Sequence, residues 1–458
     1  MKQLPVLAGL LLITTTSFAQ SPSDAASSGT QSARQGPAMN TFVTNLMSKM
    51  TLDEKLGQLN LPGAGDITTG QASSSDIAEK IKAGKVGGLF NIKSVAKIRD
   101  VQKVAVEQSR LKIPLLFGMD VIHGYETVFP IPRGLSCSSD MSAVEKSARI
   151  AATEASADGI YWTFSPMVDI ARDPRWGRIA EGSGEDPYLG SMIARAMVKG
   201  YQQDLSGNSD IMACVKHYAG YGAADGGRDY DSTYVPEELM RNVYLKPFHA
   251  AEQAGAGTFM SAYMDLNDVP ATGNHWLLTD VLRKDWGFKG FVVSDAFAVA
   301  SLQVHGFAKD PSDAAYKAIM AGLDMDMASQ TYTKNLAALV KAGKVPESLI
   351  DKDVLSILET KYKLGLFEHP YVDESKVEAT LNRPEGPELE RKIAGRSLVL
   401  LKNDNHTLPL AKTATKVAVI GPLGDAVHEM EGGWTVEGLF GSGSKSHPVT
   451  VLAGIGDK

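Results

Sequence analysis

The feature that most constrains the fold is a regular alternation of short apolar runs with longer amphipathic stretches. Such runs are typical of parallel strands that helices cover on both faces of the sheet. Helix-like segments at 140–157, 187–203 and 236–254 separate some of these runs. Seven runs are clear, and QLNLPG at 58–63 is a weaker eighth; the seven are VGGLFNI, PLLFGMD, YWTFSPMVDI, IMACVKHY, TFMSAYMDLN, GFVVSDA and LDMDM. We therefore predict an α/β fold built on a (β/α)8 TIM-type barrel, which needs about 250 residues.

The first residues have the pattern of an export signal. MKQLPVLAGLLLITTTSFAQ has a cationic start, an apolar run and small residues near its end. Residues 1–19 are therefore predicted to be a signal peptide that is cleaved after Ala19. The apolar run is too short to span a bilayer, so we expect a periplasmic or secreted protein that no membrane segment holds. Residues 20–38, rich in Ser and Ala, are predicted to be a disordered spacer.

The rest of the chain divides into a large unit and a small one. The barrel is predicted over residues 39–365, and a polar, proline-bearing stretch over 366–388 predicts an interdomain linker. The strand-like segments SLVLLKND and KVAVIGP then begin a second α/β domain, 389–458, which we expect to be incomplete. If its apolar strands stay exposed, the chain should associate with itself.

Composition excludes several classes of partner. The formal net charge of -7 and the lack of a Lys/Arg cluster among aromatics predict no nucleic-acid partner. A metal-dependent hydrolase would have to use Asp120, His123 and His217, but the nine histidines contain no clustered ligand spacing, so we expect no metal. In GLFGSGSKS, Ser444 separates glycine from lysine, which argues against a phosphate-binding loop. We expect no cofactor, and no pattern specifies an oligomeric state.

Polar side chains stand where the predicted strands end. They are Asp120, Lys216, His217, Tyr263 and Asp295, and the loop ARDPRWGR adds Arg172, Arg175 and Arg178. The carboxyl ends of parallel barrel strands form one face, so we expect these side chains to converge. Carboxylates accept hydrogen bonds from hydroxyls, and Lys, Arg and His donate to them, so the set suits a polyhydroxylated ligand. Trp176 is suited either to stacking on a sugar or to packing in a loop.

Four motifs resemble glycoside hydrolase family 3, and in particular its periplasmic β-glucosidases, from about residue 40 to the end. In chain order they read PLLFGMDVIHG, SPMVDIARDPRWGRIAEGSGEDPYL, VKHYAGYG and WGFKGFVVSDA. The resemblance implies a retaining exo-β-glycosidase that removes nonreducing terminal β-D-glucosyl residues from oligosaccharides or from aryl or alkyl β-glycosides. β-Xylosidase activity or mixed specificity stays open, because glucose and xylose differ by a single hydroxymethyl group.

The same resemblance implies roles for the strand-end residues. Asp295 would be the nucleophile, which attacks the anomeric carbon and forms a covalent glycosyl-enzyme. The substrate-binding residues that it implies are Asp120, Arg178, Lys216, His217 and Tyr263. Of these, Asp120 would bind the hydroxyls farthest from the scissile bond, and Tyr263 would hold Asp295 in line or form a wall. Glu185 is expected to pair with an arginine.

A retaining mechanism also needs a second carboxyl group, the general acid and base. The resemblance implies that it comes from the second domain, from a segment that we expect to lie beyond Lys458. Glu429, Glu431 and Glu437 lie nearby, but nothing marks one of them as the acid. A catalytically incomplete, sugar-binding protein is therefore the alternative. The branch of β-N-acetylglucosaminidases is disfavoured, because Tyr221 stands where that branch has a catalytic histidine.

Overall fold

The computed structural model describes residues 34–64, 76–413, 416–435 and 448–458. Several sequence predictions fall elsewhere. The predicted signal peptide, 1–19, and the spacer up to residue 33 lie outside the described residues, as do Glu437 and the segment GLFGSGSKS. Within the described residues, no helix is both long enough and apolar enough to cross a bilayer.

Helices account for most of the regular structure. They are α1 Pro37–Met47, α2 Leu52–Gln58, α3 Asp76–Lys82, α4 Val95–Lys103, α5 Pro132–Cys137, α6 Met141–Asp158, α7 Pro187–Gln202, α8 Glu237–Leu239, α9 Lys246–Gln253, α10 Ala298–Val304, α11 Pro311–Ala321, α12 Thr331–Lys341, α13 Glu347–Lys363, α14 Glu374–Leu381, α15 Glu385–Ser397 and α16 Val451–Gly456. Three further stretches form π-helix: Val104–Gln108, Met240–Tyr244 and Trp276–Asp285. Helices α6, α7 and α9 confirm the helix-like segments predicted from the sequence.

The strands form a parallel sheet with additions. They are β1 Asn60–Leu61, β2 Gly88–Phe90, β3 Leu116–Met119, β4 Trp162–Thr163, β5 Met212–Tyr218, β6 Thr258–Ser261, β7 Asp265–Leu266, β8 Val269–Pro270, β9 Phe291–Ser294 and β10 Asp326–Met327. Six of them pair in parallel in the order β2-β3-β4-β5-β6-β9, and β1 pairs in parallel with β10. Each of the eight predicted runs thus contains a strand. The antiparallel pair β7-β8 is an addition that the sequence pattern did not predict.

Aromatic contacts indicate that the six-stranded sheet is strongly curved. The rings of Trp162 on β4 and Phe291 on β9 lie 5.2 Å apart in an edge-to-face contact. In a flat sheet, three strand spacings would hold these positions about 14 Å apart. Two isolated parallel bridges continue the pairing beyond the sheet, joining Gly63 to Phe90 and Val293 to Met325. The apolar side chains of the strands therefore face a shared, filled interior.

The region after residue 365 differs from the prediction. Residues 366–388, expected to be a linker, contain α14 and the start of α15. The segments SLVLLKND and KVAVIGP, expected to be strands, are irregular, and the described residues contain no strand after β10. Their apolar side chains are largely exposed, including Leu401 at 91% and Ile420 at 92%. A strand needs a partner to satisfy its backbone groups, and here the described chain supplies none.

This exposed apolar surface predicts self-association. Replacing both Leu401 and Ile420 by Glu should lower the apparent mass in sedimentation velocity, because charge opposes the burial of apolar surface between copies. Val304 on α10 is also apolar and 87% exposed, so Val304→Glu is the matched control and should leave association unchanged. A wild-type chain that stays monomeric at high concentration would contradict this prediction.

Lys361 on α13 is a buried amine without a carboxylate partner in the described chain. Its Nζ donates to Oε1 of Gln58 on α2 at 2.7 Å. Burial lowers the pKa of Lys361 from 10.5 to about 7. As the pH falls from 10.5 towards 7, the unfolded chain binds a proton that the folded chain resists, so this group costs the fold more at pH 7 than at pH 10.

Lys361→Met should therefore stabilise the protein most at neutral pH. The gain in the free energy of unfolding should be about 3 kcal/mol larger at pH 7 than at pH 10, from the displaced pKa. Urea denaturation at the two pH values measures it. Lys363→Met is the control, because Lys363 is partly exposed beside Glu359; its effect should be the same at both pH values. A gain from Lys361→Met that does not depend on pH would contradict the prediction.

Candidate active site

A pocket of about 330 Å³ lies where the parallel strands end. Its walls come from strands β2, β5, β6 and β10 and from the loops that follow β2, β3, β4, β5, β6 and β9. One residue of the C-terminal region completes them. The lining residues are Phe90, Asn91, Asp120, Phe164, Arg178, Glu181, Lys216, Asp229, Tyr230, Met260, Tyr263, Asp295, Ala296, Met327 and Trp434. Five of the six predicted site residues are among them, and His217 is not.

Asp295 follows β9 directly, so the buried strand fixes its position. Its Oδ1 accepts hydrogen bonds from the Ala296 backbone N–H at 2.7 Å and from the Tyr263 hydroxyl at 2.9 Å. Its Oδ2 accepts no hydrogen bond from the described residues. Burial raises the pKa of Asp295, and the positive charges of Lys216 and Arg178 oppose that shift. The result is a carboxyl group held through one oxygen, with the other left for a ligand.

Asp120 and Lys216 form a buried ion pair across the sheet. Asp120 follows β3 and Lys216 lies in β5, and Nζ of Lys216 is 2.5 Å from Oδ1 of Asp120. Both side chains are almost completely buried. The Lys216 ammonium also lies 5.3 Å from the centre of the Trp434 ring, a cation–π distance.

Arg178 and Glu181 form a second pair, within a short helical turn. Nε of Arg178 donates to Oε1 of Glu181 at 2.8 Å, and Nη2 donates to Oε2 at 3.0 Å. Burial raises the pKa of Glu181, but the Arg178 guanidinium outweighs burial and lowers it overall. The guanidinium also lies 5.5 Å from the centre of the Tyr221 ring. Arg178 is therefore held as a fixed, charged donor at the wall of the pocket.

His217 lies behind the pocket wall. Its ring is fully buried, with Nδ1 2.8 Å from Oδ2 of Asp169 and Nε2 2.9 Å from Nη2 of Arg178. A guanidinium only donates, so Nε2 accepts and the ring proton is on Nδ1. Burial lowers the pKa of His217 well below its usual value, and it raises the pKa of Asp169 to about 7. Nε2 also lies 3.5 Å from Oδ2 of Asp295. His217 thus contacts the lining residues Arg178 and Asp295 from behind, and its ring does not line the cavity.

The lining residues that sequence reasoning missed include Glu181, Asp229, Tyr230 and Trp434. The spacing of three between Arg178 and Glu181 was a usable signal, but the prediction paired an arginine with Glu185 instead. That expectation is wrong: Glu185 is exposed and makes no ion pair within the described chain. Trp176 is buried, and its Nε1 donates to Asp229 at 3.1 Å, so it packs in the loop instead of facing the cavity.

Trp434 reaches the pocket because a distant segment contacts the loop after β3. Nε2 of His123 is 2.6 Å from the Gly433 carbonyl oxygen, and Nδ1 is 2.7 Å from the Phe129 carbonyl oxygen. This histidine therefore connects the C-terminal segment to the strand ends. In the part of the chain that the structure describes, no cluster of His, Cys, Asp and Glu is suited to hold a metal ion.

A curved parallel sheet with paired cations, carboxylates and aromatic rings at its carboxyl edge defines an α/β protein with a pocket for a polyhydroxylated ligand. Comparison with known families agrees. The glycosyl hydrolase family 3 N terminal domain matches residues 51–360, and the family 3 C-terminal domain matches residues 398–458. The chain belongs to glycosyl hydrolase family 3, which confirms the resemblance of its motifs.

Two curated relatives and one solved structure are named as beta-glucosidases or beta-xylosidases. A periplasmic beta-glucosidase of Salmonella typhimurium is 44% identical over 428 residues, which are 91% of this chain and 54% of the relative. A beta-xylosidase of Formosa agariphila is 33% identical over 387 residues, 79% of this chain and 53% of the relative. The crystal structure of a mutant beta-glucosidase from Listeria innocua in complex with laminaribiose matches with a TM-score of 0.85 and 38% identity, over 91% of this chain and 59% of that chain. The chain spans about half the length of the curated relatives it matches.

The buried Arg178–Glu181 pair predicts a large stability effect. Glu181→Gln should lower the free energy of unfolding by about 2 kcal/mol, because it leaves the Arg178 charge buried without a counter-ion. Arg241 and Glu237 form a pair with the same 2.8 Å contact on the surface, so Glu237→Gln is the matched control and should change stability by less than about 0.5 kcal/mol. Urea denaturation measures both variants, and equal effects would contradict the assignment.

Proposed function

We propose that this protein is a retaining exo-β-glycosidase that removes nonreducing terminal β-D-glucosyl residues, with Asp295 as the nucleophile. The observation that carries the proposal is the bonding of Asp295, whose Oδ1 is fixed by Tyr263 and Ala296 while its Oδ2 accepts no hydrogen bond from the described residues. A nucleophile needs both a fixed direction and a free oxygen. Laminaribiose, in the complex of the Listeria innocua relative, is a ligand of the matching chemical class.

In the first step, a carboxylate oxygen of Asp295 bonds to the anomeric carbon, and the bond from that carbon to the leaving oxygen breaks. Water then attacks the same carbon, the bond from that carbon to Asp295 breaks, and the group that acted as acid in the first step takes up the proton of the water. The sugar and the carboxylate are released, and the two inversions give net retention. The leaving oxygen needs a proton in the first step. Asp120 and Glu181 are each bonded to a cation, Lys216 and Arg178, so we assign the proton donor to neither of them.

The other residues bind and orient the substrate. Asp120, Lys216 and Arg178 line the pocket as one acceptor and two charged donors, which suits the hydroxyl groups of a sugar ring. Tyr263 positions Asp295 through its hydroxyl group. We assign His217 a positioning role, since both of its ring nitrogens are engaged by Asp169 and Arg178.

We further propose that residues 39–365 form a (β/α)8 barrel and that residues 389–458 belong to a second domain. The six-stranded parallel sheet, the parallel β1-β10 pair and the two isolated parallel bridges between them support this reading. The two family matches, 51–360 and 398–458, support the same division. No cofactor is required for the proposed reaction.

Glucosidase activity is favoured over xylosidase activity by the relatives. The Salmonella typhimurium protein, named for beta-glucosidase activity, is more identical and covers more of this chain than the Formosa agariphila beta-xylosidase does. The xylosidase relative keeps the second specificity as the alternative. The name of the Salmonella relative and the predicted signal peptide, 1–19, also favour a periplasmic location.

Intact-mass analysis after incubation with a dinitrophenyl 2-deoxy-2-fluoro-β-D-glucoside tests the proposal. The activated phenol leaves without a proton, so labelling does not depend on the general acid. We expect one glycosyl adduct, mapped to Asp295, and none in Asp295→Ala. The matching 2-fluoro-xyloside should label more slowly.

Three results would count against the proposal. An adduct on another residue would exclude Asp295 as the nucleophile. Faster labelling by the xyloside would favour the xylosidase reading. Binding of the reagent without an adduct would favour a sugar-binding protein.

A further inference from the structure

The Gly-rich loop after β5 is held rigidly at the rim of the pocket. Gly227 has a φ of 69°, and a Cβ at this position would lie 2.9 Å from Cβ of Arg175 and 3.0 Å from the Trp176 backbone nitrogen. The backbone of this loop therefore packs directly against the loop after β4, and only glycine, which has no Cβ, fits at this position. The Asp225 N–H also donates to the Ser232 carbonyl oxygen at 2.9 Å, which closes the loop on itself.

This loop holds Tyr230 in an uncommon backbone conformation. Its φ of 66° is in the left-handed region, which is uncommon for a bulky residue. Its side chain lines the pocket, yet the residue is 59% exposed, and its hydroxyl group makes no hydrogen bond within the described chain. The ring contacts the rings of Tyr221 at 6.3 Å and Tyr263 at 5.1 Å. Most of the residue nevertheless stays in water, so packing offsets little of the cost of this conformation, and its position at the pocket needs another reason.

Tyr230 packs against Tyr263, the residue that binds Asp295, and is the more exposed of the two. The Tyr263 hydroxyl group donates to Asp295, and the Tyr230 ring meets the Tyr263 ring edge to face at 5.1 Å. Asp120 and Lys216, in contrast, are almost fully buried. The pocket therefore has a buried, charged end and an open, aromatic end, and Asp295 lines the same cavity.

We infer that Tyr230 forms a binding site for the leaving group of the substrate, and that this group is a ring with an apolar face. The inference rests on the proposed function, in which the charged end holds the sugar that Asp295 attacks. The group on the other side of the scissile bond then lies toward the open end. Aromatic side chains bind such rings through their faces, and both an aryl group and a second glucosyl unit present one.

Two inactivators that differ only in the leaving group test this inference. One is 2-deoxy-2-fluoro-β-D-glucosyl fluoride, and the other is the dinitrophenyl 2-deoxy-2-fluoro-β-D-glucoside. With either one, an Asp295 oxygen bonds to the anomeric carbon, and the electron pair of the broken bond leaves with fluoride or with the phenolate. Only the second reagent has a ring in its leaving group that can contact Tyr230. The ratio of the two labelling rate constants therefore isolates the leaving-group site.

Tyr230→Ala should lower the labelling rate constant for the dinitrophenyl reagent by about tenfold, the size of a lost aromatic contact. Labelling by the fluoride should stay unchanged. Tyr230→Phe should behave as the wild type in both assays, because the Tyr230 hydroxyl group makes no hydrogen bond to the described residues. Tyr234→Ala is the matched control: Tyr234 is 64% exposed and follows the same loop, but it does not line the pocket.

Protection experiments distinguish the two kinds of ring. Tyr230→Ala should weaken protection against the fluoride by an aryl β-glucoside, by a β-linked glucose disaccharide, or by both, and the responding ligand identifies the ring that the site takes. Protection by methyl β-glucoside, which has no such ring, should not change.

Equal slowing of both reagents by Tyr230→Ala, or no slowing of either, would overturn the inference while leaving the proposed function intact. Failure of both reagents to label the wild-type chain would overturn the proposed function and the inference with it.

Discussion

Two buried ion pairs hold the pocket together, because they allow four charges to remain out of water at the ends of the strands. Asp120 pairs with Lys216, and Arg178 pairs with Glu181. Each charge would be costly to bury alone. The Asp120–Lys216 pair joins the end of β3 to β5, whereas the Arg178–Glu181 pair lies within one helical turn. Asp295 differs from these carboxylates, because its bonds come from a neutral hydroxyl group and a backbone N–H. Burial raises the pKa of Asp295, and the two cations oppose that shift only from a distance. Its Oδ2 therefore accepts no hydrogen bond from the described residues.

The strands were predictable because each depends on a local pattern. An apolar run between amphipathic segments was enough to locate them. Local signals also fix helix starts, as in α2, where Thr51 and Glu54 form a capping box. The same pattern failed in SLVLLKND and KVAVIGP, because a strand also needs a neighbour, and a local pattern does not show whether one exists. Helix α14 was missed although Asp373 caps it by accepting from the Ser375 N–H, since the polar composition of the stretch favoured a linker.

The site was predictable in part, for reasons of strand geometry. Asp120, Lys216 and Asp295 were found because they lie at strand ends and their chemistry suits sugars. Lys216 and His217 were both expected to contact the ligand, but consecutive strand residues point to opposite faces, so the alternation itself argued against assigning both. Pairing with β6 also shifts register between Val215 and Tyr218, an irregularity that no local signal announced. Trp434 was beyond prediction, because its position depends on a contact between segments far apart in sequence.

The neutral state of His217 explains how two cations remain close to the carboxyl group of Asp295. A proton on Nε2 would face the Arg178 guanidinium at 2.9 Å, so the protonated ring would repel its neighbour. Burial and the positive charges of Arg178 and Lys216 all lower the pKa of His217, and they act in the same direction. Asp169 accepts from both the backbone N–H and Nδ1 of His217, which fixes the tautomer that leaves Nε2 as an acceptor. Arg178 is therefore oriented by an acceptor without a charge, so its own charge still acts on Asp295.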